Sequence, residues 1–124
     1  MTNAHRILVV DDNSHVAFSL GKALKYSSEN YAVKVAHSGE EALDVLDDWP
    51  VDLLITDLCM SGFSGLELIR QIQAFIPQTH TILITGYGDG EVVAEASRLS
   101  VYRYIAKPFR LEVILNTVRE ALAE

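Results

Sequence analysis

Three aspartates, a threonine and a lysine in this 124-residue chain are of the types that handle phosphate, and each stands close behind a short apolar run. Asp11 and Asp12 follow Ile7 to Val10, and Asp57 follows Leu53 to Ile55. Thr85 follows Ile82 to Ile84, and Lys107 follows Tyr104 to Ala106. Three carboxylates gathered in one crevice repel, and leaving them unpaired there is costly. A hard divalent cation relieves that repulsion; magnesium takes oxygen ligands, keeps several waters and often shares its shell with a phosphate. Lys107 supplies a fixed positive charge for a phosphoryl oxygen, and Thr85 supplies a hydroxyl donor. The set suits phosphoryl transfer to a carboxylate nucleophile, where positioning and charge neutralisation do most of the work.

Taken singly, the five residues have plain structural uses: an Asp at a strand end is usually a turn former, and a lone Lys is usually solvated. What gives them meaning is a fold that brings them together. Continuous apolar runs suit parallel strands covered on both faces. Tyr31 to Ala36, with Lys34 between Val33 and Val35, reads as an edge strand. Helical spacing lies between the runs. Val16, Leu20, Ala23 and Leu24 share one face of a first helix. Ser38 and Glu41 have capping-box spacing ahead of Ala42, Leu43 and Leu46. Leu66, Ile69 and Ile72 mark a third helix. A fourth, roughly Glu91 to Leu99, follows GYGDG, a string that favours a mobile loop. Leu111, Ile114, Leu115, Val118 and Leu122 mark the last.

The expected fold is α/β, a doubly wound (βα)5 with a five-stranded parallel sheet in the order 2-1-3-4-5. In that order the residues after strands 1, 3, 4 and 5 converge at the carboxyl ends. No repeat, low-complexity tract or linker interrupts the chain, so residues 1–124 are read as one domain with a core of about 5–123. No apolar run approaches the roughly 20 residues of a membrane span, and the N-terminus lacks a secretory layout. Cytoplasmic residence is expected, without membrane association. The single cysteine, Cys59, excludes an internal disulfide. A net charge of -7 argues against direct nucleic-acid binding.

ILVVDD, LLITDLCMSGFSGLELI, TILITGY and YRYIAKPF together resemble, in order and spacing, the signature blocks of response-regulator receiver domains. The resemblance covers essentially the whole chain. It implies a two-component switch in which Asp57 accepts a phosphoryl group from a histidine kinase or phosphotransfer protein. It further implies that Mg2+ is held by Asp12, by Asp11 largely through water, by Asp57, and by the backbone carbonyl of Cys59. Thr85 and Lys107 would grip the phosphoryl oxygens, with a cis peptide between Lys107 and Pro108. Tyr104 matches the switch aromatic, and the face of helix 4, strand 5 and helix 5 would carry the output, including a possible homodimer.

Three positions depart from the family pattern: Ser61 stands where Pro is frequent, Gly86 follows Thr85 beside Tyr87 and Gly88, and Leu99 and Ser100 close helix 4 without a Gly. They bear on kinetics and loop geometry. Cys59 reads as an inert thiol, and the four histidines as surface residues. Trp49 reads as a packing residue at the end of helix 2, and Tyr87 either as a loop residue or as a lid over the site. Neither Cys59 nor Tyr87 would readily orient an attacking water, so slow autodephosphorylation is expected.

Beyond magnesium-dependent self-phosphorylation and self-dephosphorylation no enzymatic turnover is expected. The alternative is a receiver-like interaction module without phosphorylation. A dehalogenase-type phosphatase would carry an acid where Cys59 stands, and a flavin carrier would not place acids after strand 1. No output domain is expected within these residues; a receiver clipped from a larger regulator is favoured over a natural single-domain one.

Overall fold

The computed structural model describes residues 4–58, 60, 64–86 and 90–123, the side chains at 91 and 92 excepted. Strands and helices alternate: β1 (His5–Val10), α1 (Ser14–Lys25), β2 (Tyr31–Ala36), α2 (Gly39–Asp48), β3 (Leu53–Asp57), α3 (Gly65–Phe75), β4 (His80–Thr85), α4 (Gly90–Ala96), β5 (Arg103–Ala106) and α5 (Leu111–Leu122). All pairs are parallel, in the order β2-β1-β3-β4-β5, as the apolar runs predict. The strands outrun those runs at their polar ends, because ladder pairing continues through Thr56 and Asp57 opposite Leu83 and Ile84.

Alternation of side chains along the strands splits the core into two layers. Ile7, Val9, Leu53, Ile55, Ile82 and Ile84 face α1 and α5. Leu8, Val10, Leu54 and Leu83 face α2, α3 and α4. Each helix adds its apolar stripe, and most end residues are capped. Asn13 Oδ1 accepts from the backbone N–H groups of His15 and Val16 at 3.0 and 3.3 Å. Ser38 Oγ accepts from Glu41 N–H at 3.0 Å, while Glu41 reaches back to His37 N–H at 3.2 Å, the expected box displaced by one residue.

Some expectations need correction. The buried face of α1 is Ala17, Leu20, Gly21 and Leu24 rather than one including Ala23. Gly21 belongs there because a Cβ would come within 2.7 Å of Val35 Cγ2. α4 ends at Ala96, not Leu99. The N–H groups of Arg98 and Leu99 bond three residues back, to Glu95 and Ala96, so the last turn tightens out of the α pattern. α5 buries Ile114, Thr117, Val118 and Ala121, while Leu111, at its first position, leans back past the helix end and stays exposed. His15 and His37 are exposed, but His5 and His80 are half-buried in strands, and His80 meets Tyr102 edge-on at 5.7 Å.

Candidate functional site

The carboxyl ends of β1, β3, β4 and β5 bring Asp11, Asp12, Asp57, Thr85 and Lys107 to one end of the sheet. Carboxylate oxygens of Asp11, Asp12 and Asp57 all lie within 4.8 Å of one another. Asp11 and Asp57 are 1% and 5% exposed, whereas Asp12 faces solvent. Lys107 Nζ donates to Asp57 Oδ2 at 2.9 Å and stands 3.9 Å from Asp11 Oδ2. Lys107 is thereby a tether across the pocket, with its backbone N–H donating to the Thr85 carbonyl at 2.7 Å. The Lys107–Pro108 peptide is cis, as the resemblance implied.

Burial acts in opposite senses on the Asp11 carboxyl and the Lys107 ammonium of this pocket. Burial raises the Asp11 carboxyl above the usual carboxylate range; its bond from Asn13 N–H opposes this and the charge of Asp57 adds to it. Burial pulls the Lys107 ammonium down, but the hydrogen bond and charge of Asp57, with the charges of Asp11 and Asp12, outweigh it and leave it above the usual lysine value. Asp11 Oδ1 accepts from Asn13 N–H at 2.9 Å, yet its buried Oδ2 has no hydrogen-bond partner. A buried carboxylate oxygen left that way costs free energy. An all-oxygen donor set with such an atom fits a hard divalent cation.

Thr85, at the end of β4, is buried. Its register partner is Ala106, and that of Leu83 is Tyr104. Side chains two apart share a face, so Thr85 and Tyr104 lie on the same side of the sheet, toward α4. Tyr104 is half-buried against the α2–α4 layer, and that burial raises its hydroxyl pKa. The expected ligand at Cys59, and Ser61, Tyr87 and Gly88, lie outside the described residues.

One residue that matters here escaped the sequence reading. A Cβ on Gly65 would stand 2.1 Å from the Asp57 carbonyl oxygen. Its absence lets the first turn of α3 press against the backbone that carries Asp57, with Gly65 N–H donating to the Leu58 carbonyl at 3.2 Å. The neighbouring signal was present: Ser64 and Glu67 have capping-box spacing, and Ser64 Oγ accepts from Glu67 N–H at 3.2 Å.

The family model for the response regulator receiver domain matches residues 7–119. The chain is 32% identical over 118 residues to the uncharacterized transcriptional regulatory protein YkoG of Bacillus subtilis, covering 95% of this chain and 51% of that one. The chain thus spans about half the length of that regulator. It is 27% identical to sporulation initiation phosphotransferase F of the same organism, covering 94% and 93% of the two chains. In structure it is similar to a CheY-like receiver domain protein from Methanospirillum hungatei, with a TM-score of 0.91, 26% identity, and coverage of 98% and 95%.

Proposed function

The chain belongs to the response-regulator receiver family of two-component signalling, and on that premise we propose that Asp57 is its phosphoacceptor. The observation that carries this is the pocket itself: three carboxylates within 4.8 Å, with Lys107 held on Asp57. The donor is a phosphohistidine on a histidine kinase or phosphotransfer protein. An Asp57 carboxylate oxygen forms the new bond to phosphorus as the donor's N–P bond breaks, giving an acyl phosphate. Lys107 turns from Asp57 Oδ2 to a phosphoryl oxygen, and the Thr85 hydroxyl donates to another. Asp11, Asp12 and Asp57 would hold Mg2+, which when bound would neutralise the carboxylates and the incoming phosphoryl charge.

Thr85 is drawn toward the phosphoryl group, and Tyr104, on the same face, packs into the room so made. The pair biases the surface of α4, β5 and α5 between two states. Taking such a switch from 1:99 to 99:1 needs about 5.5 kcal/mol of differential stabilisation. That surface serves as output and as a homodimer contact in the phosphorylated state; Leu111 and Val113 are exposed on α5 and Arg103 pairs with Glu120 at 3.7 Å. The domain turns over no separate substrate, and its chemistry is its own phosphorylation and dephosphorylation. Its workplace is the cytoplasm; among the described residues no helix is long and apolar enough to cross a membrane.

Incubation with Mg2+ and acetyl phosphate, read by intact mass, tests the reading. Wild type gains one phosphoryl group, and Asp57→Asn or EDTA abolishes the gain. Full labelling of Asp57→Asn would refute the assignment, and no labelling of wild type would favour an interaction module instead.

A further inference from the structure

Charge is segregated on the surface of this chain. α1 carries Lys22 and Lys25 and no acid, whereas α2 carries Glu40, Glu41, Asp44, Asp47 and Asp48 and no base. Each helix borders an open apolar groove. The one between α1 and β2, about 430 Å³, is lined by Phe18, Lys22, Lys25, Tyr26, Val33 and Val35 among others, and by no carboxylate. The one between α2 and α3, about 400 Å³, is lined by Leu43, Leu46, Asp47, Ile72, Phe75 and Ile76, and by no lysine or arginine. The most exposed large apolar side chains of the described residues belong to these two grooves: Phe18 at 64%, Tyr26 at 74% and Phe75 at 81%. Scattered exposed apolar groups are ordinary. Here they coincide with two grooves of matching size and opposite charge.

We propose that the α1–β2 groove of one copy docks the α2–α3 groove of a second copy of this chain. Phe75 enters beside Phe18 and Tyr26, and Asp44 and Asp47 face Lys22 and Lys25. Asp44 and Asp47 are both exposed and three residues apart, so they share one side of α2. The Lys22 ammonium already lies 5.6 Å from the centroid of the Phe18 ring, which places charge and apolar surface at one spot. The two grooves lie on opposite faces of the sheet, so the contact is heterologous and each docked copy leaves a groove free for the next. The product is an open row of copies whose length grows with concentration. Rim charges are screened within about 8 Å at physiological ionic strength, so the row shortens as salt rises. None of the lining residues belongs to the aspartate pocket, which stays accessible within the row.

Sedimentation velocity of the unphosphorylated protein over a wide concentration range, at low and high salt, reads this directly. Average mass should climb above the monomer with concentration and fall with salt. Lys22→Glu with Lys25→Glu, and separately Asp44→Lys with Asp47→Lys, should each weaken association by about tenfold or more. Mixing the two variants in equal amounts should restore it, because each then meets a groove of opposite charge. A wild type that stays monomeric throughout overturns the proposal. So does association that either double variant leaves intact, or a mixture that fails to recover.

Discussion

α4 and α5 flank the same edge strand, β5, and are held in opposite ways. α5 runs twelve residues and buries Ile114, Thr117, Val118 and Ala121 against the sheet, with Thr117 Oγ1 donating to the Val113 carbonyl at 2.8 Å. α4 runs seven residues, and among its described side chains only Ala96 is buried, with Val93 partly packed. Its other tie is Glu95, which accepts from Arg70 of α3 at 2.7 Å on the surface. Apolar burial fixes a helix far more firmly than an exposed ion pair, which contributes at most about 1 kcal/mol. Among the described side chains, the side of β5 that faces Thr85 and Tyr104 is therefore the more lightly held, and α5 is the fixed wall beside it.

Ile114→Ala should give the largest effect, lowering unfolding stability by about 2–5 kcal/mol in urea titrations, since it opens a cavity under α5. A loss below about 1 kcal/mol would remove α5 from its role as the fixed wall. A smaller change is expected from the aspartate pocket. Because burial raises the Asp11 carboxyl above its unfolded value, the folded protein holds that proton at higher pH than the unfolded chain does. Stability in Mg2+-free buffer should therefore increase as pH falls from the folded value toward the unfolded one, and decrease as pH rises through that window. Asp11→Asn should be more stable than wild type at neutral pH, should lose that pH slope, and should no longer gain melting temperature from Mg2+. An unchanged slope in the variant would place the strain elsewhere. The smallest global effect belongs to Glu95→Gln, under about 1 kcal/mol. Amide exchange should nevertheless quicken in α4 and stay unchanged in α5, and equal acceleration in both would erase the contrast between them.

Most of this architecture is legible in the chain because its strands are continuous apolar runs and its reactive residues sit within two positions of strand ends. Asp11, Asp12, Asp57, Thr85 and Lys107 needed only the strand order to be brought together. The end of α4 was harder, since Ser97 to Leu99 keep helical residue types while the backbone hydrogen bonds shift to a tighter turn. Ala17 and Gly21 replaced Ala23 on the buried face of α1, and Gly21 did so because it marks close approach to β2 rather than apolar periodicity. Gly65 was invisible for the same reason: its importance is that a Cβ there would stand 2.1 Å from the Asp57 carbonyl oxygen, a close packing that apolar periodicity does not encode. The readings made for Cys59 and Tyr87, and with them the expected slow dephosphorylation, lie outside the described residues.

Trp49 has an optical consequence. It is the single tryptophan of the chain. It caps the C-terminus of α2, with the Arg6 guanidinium 5.5 Å and the Lys34 ammonium 4.6 Å from its ring centroid. Beside it, Arg6 N–H donates to Asp52 Oδ2 at 2.8 Å, at the entry ends of β1 and β3, opposite the ends that bear the aspartates. The indole is thus in contact range of two cations at the far pole of the sheet. Its emission should follow urea unfolding closely, as the two cations leave and water reaches the ring. The same emission should be blind to Mg2+ and to acetyl phosphate. Light from the native chain is a gauge of folding alone, and following the switch by fluorescence calls for a second indole introduced near Tyr104.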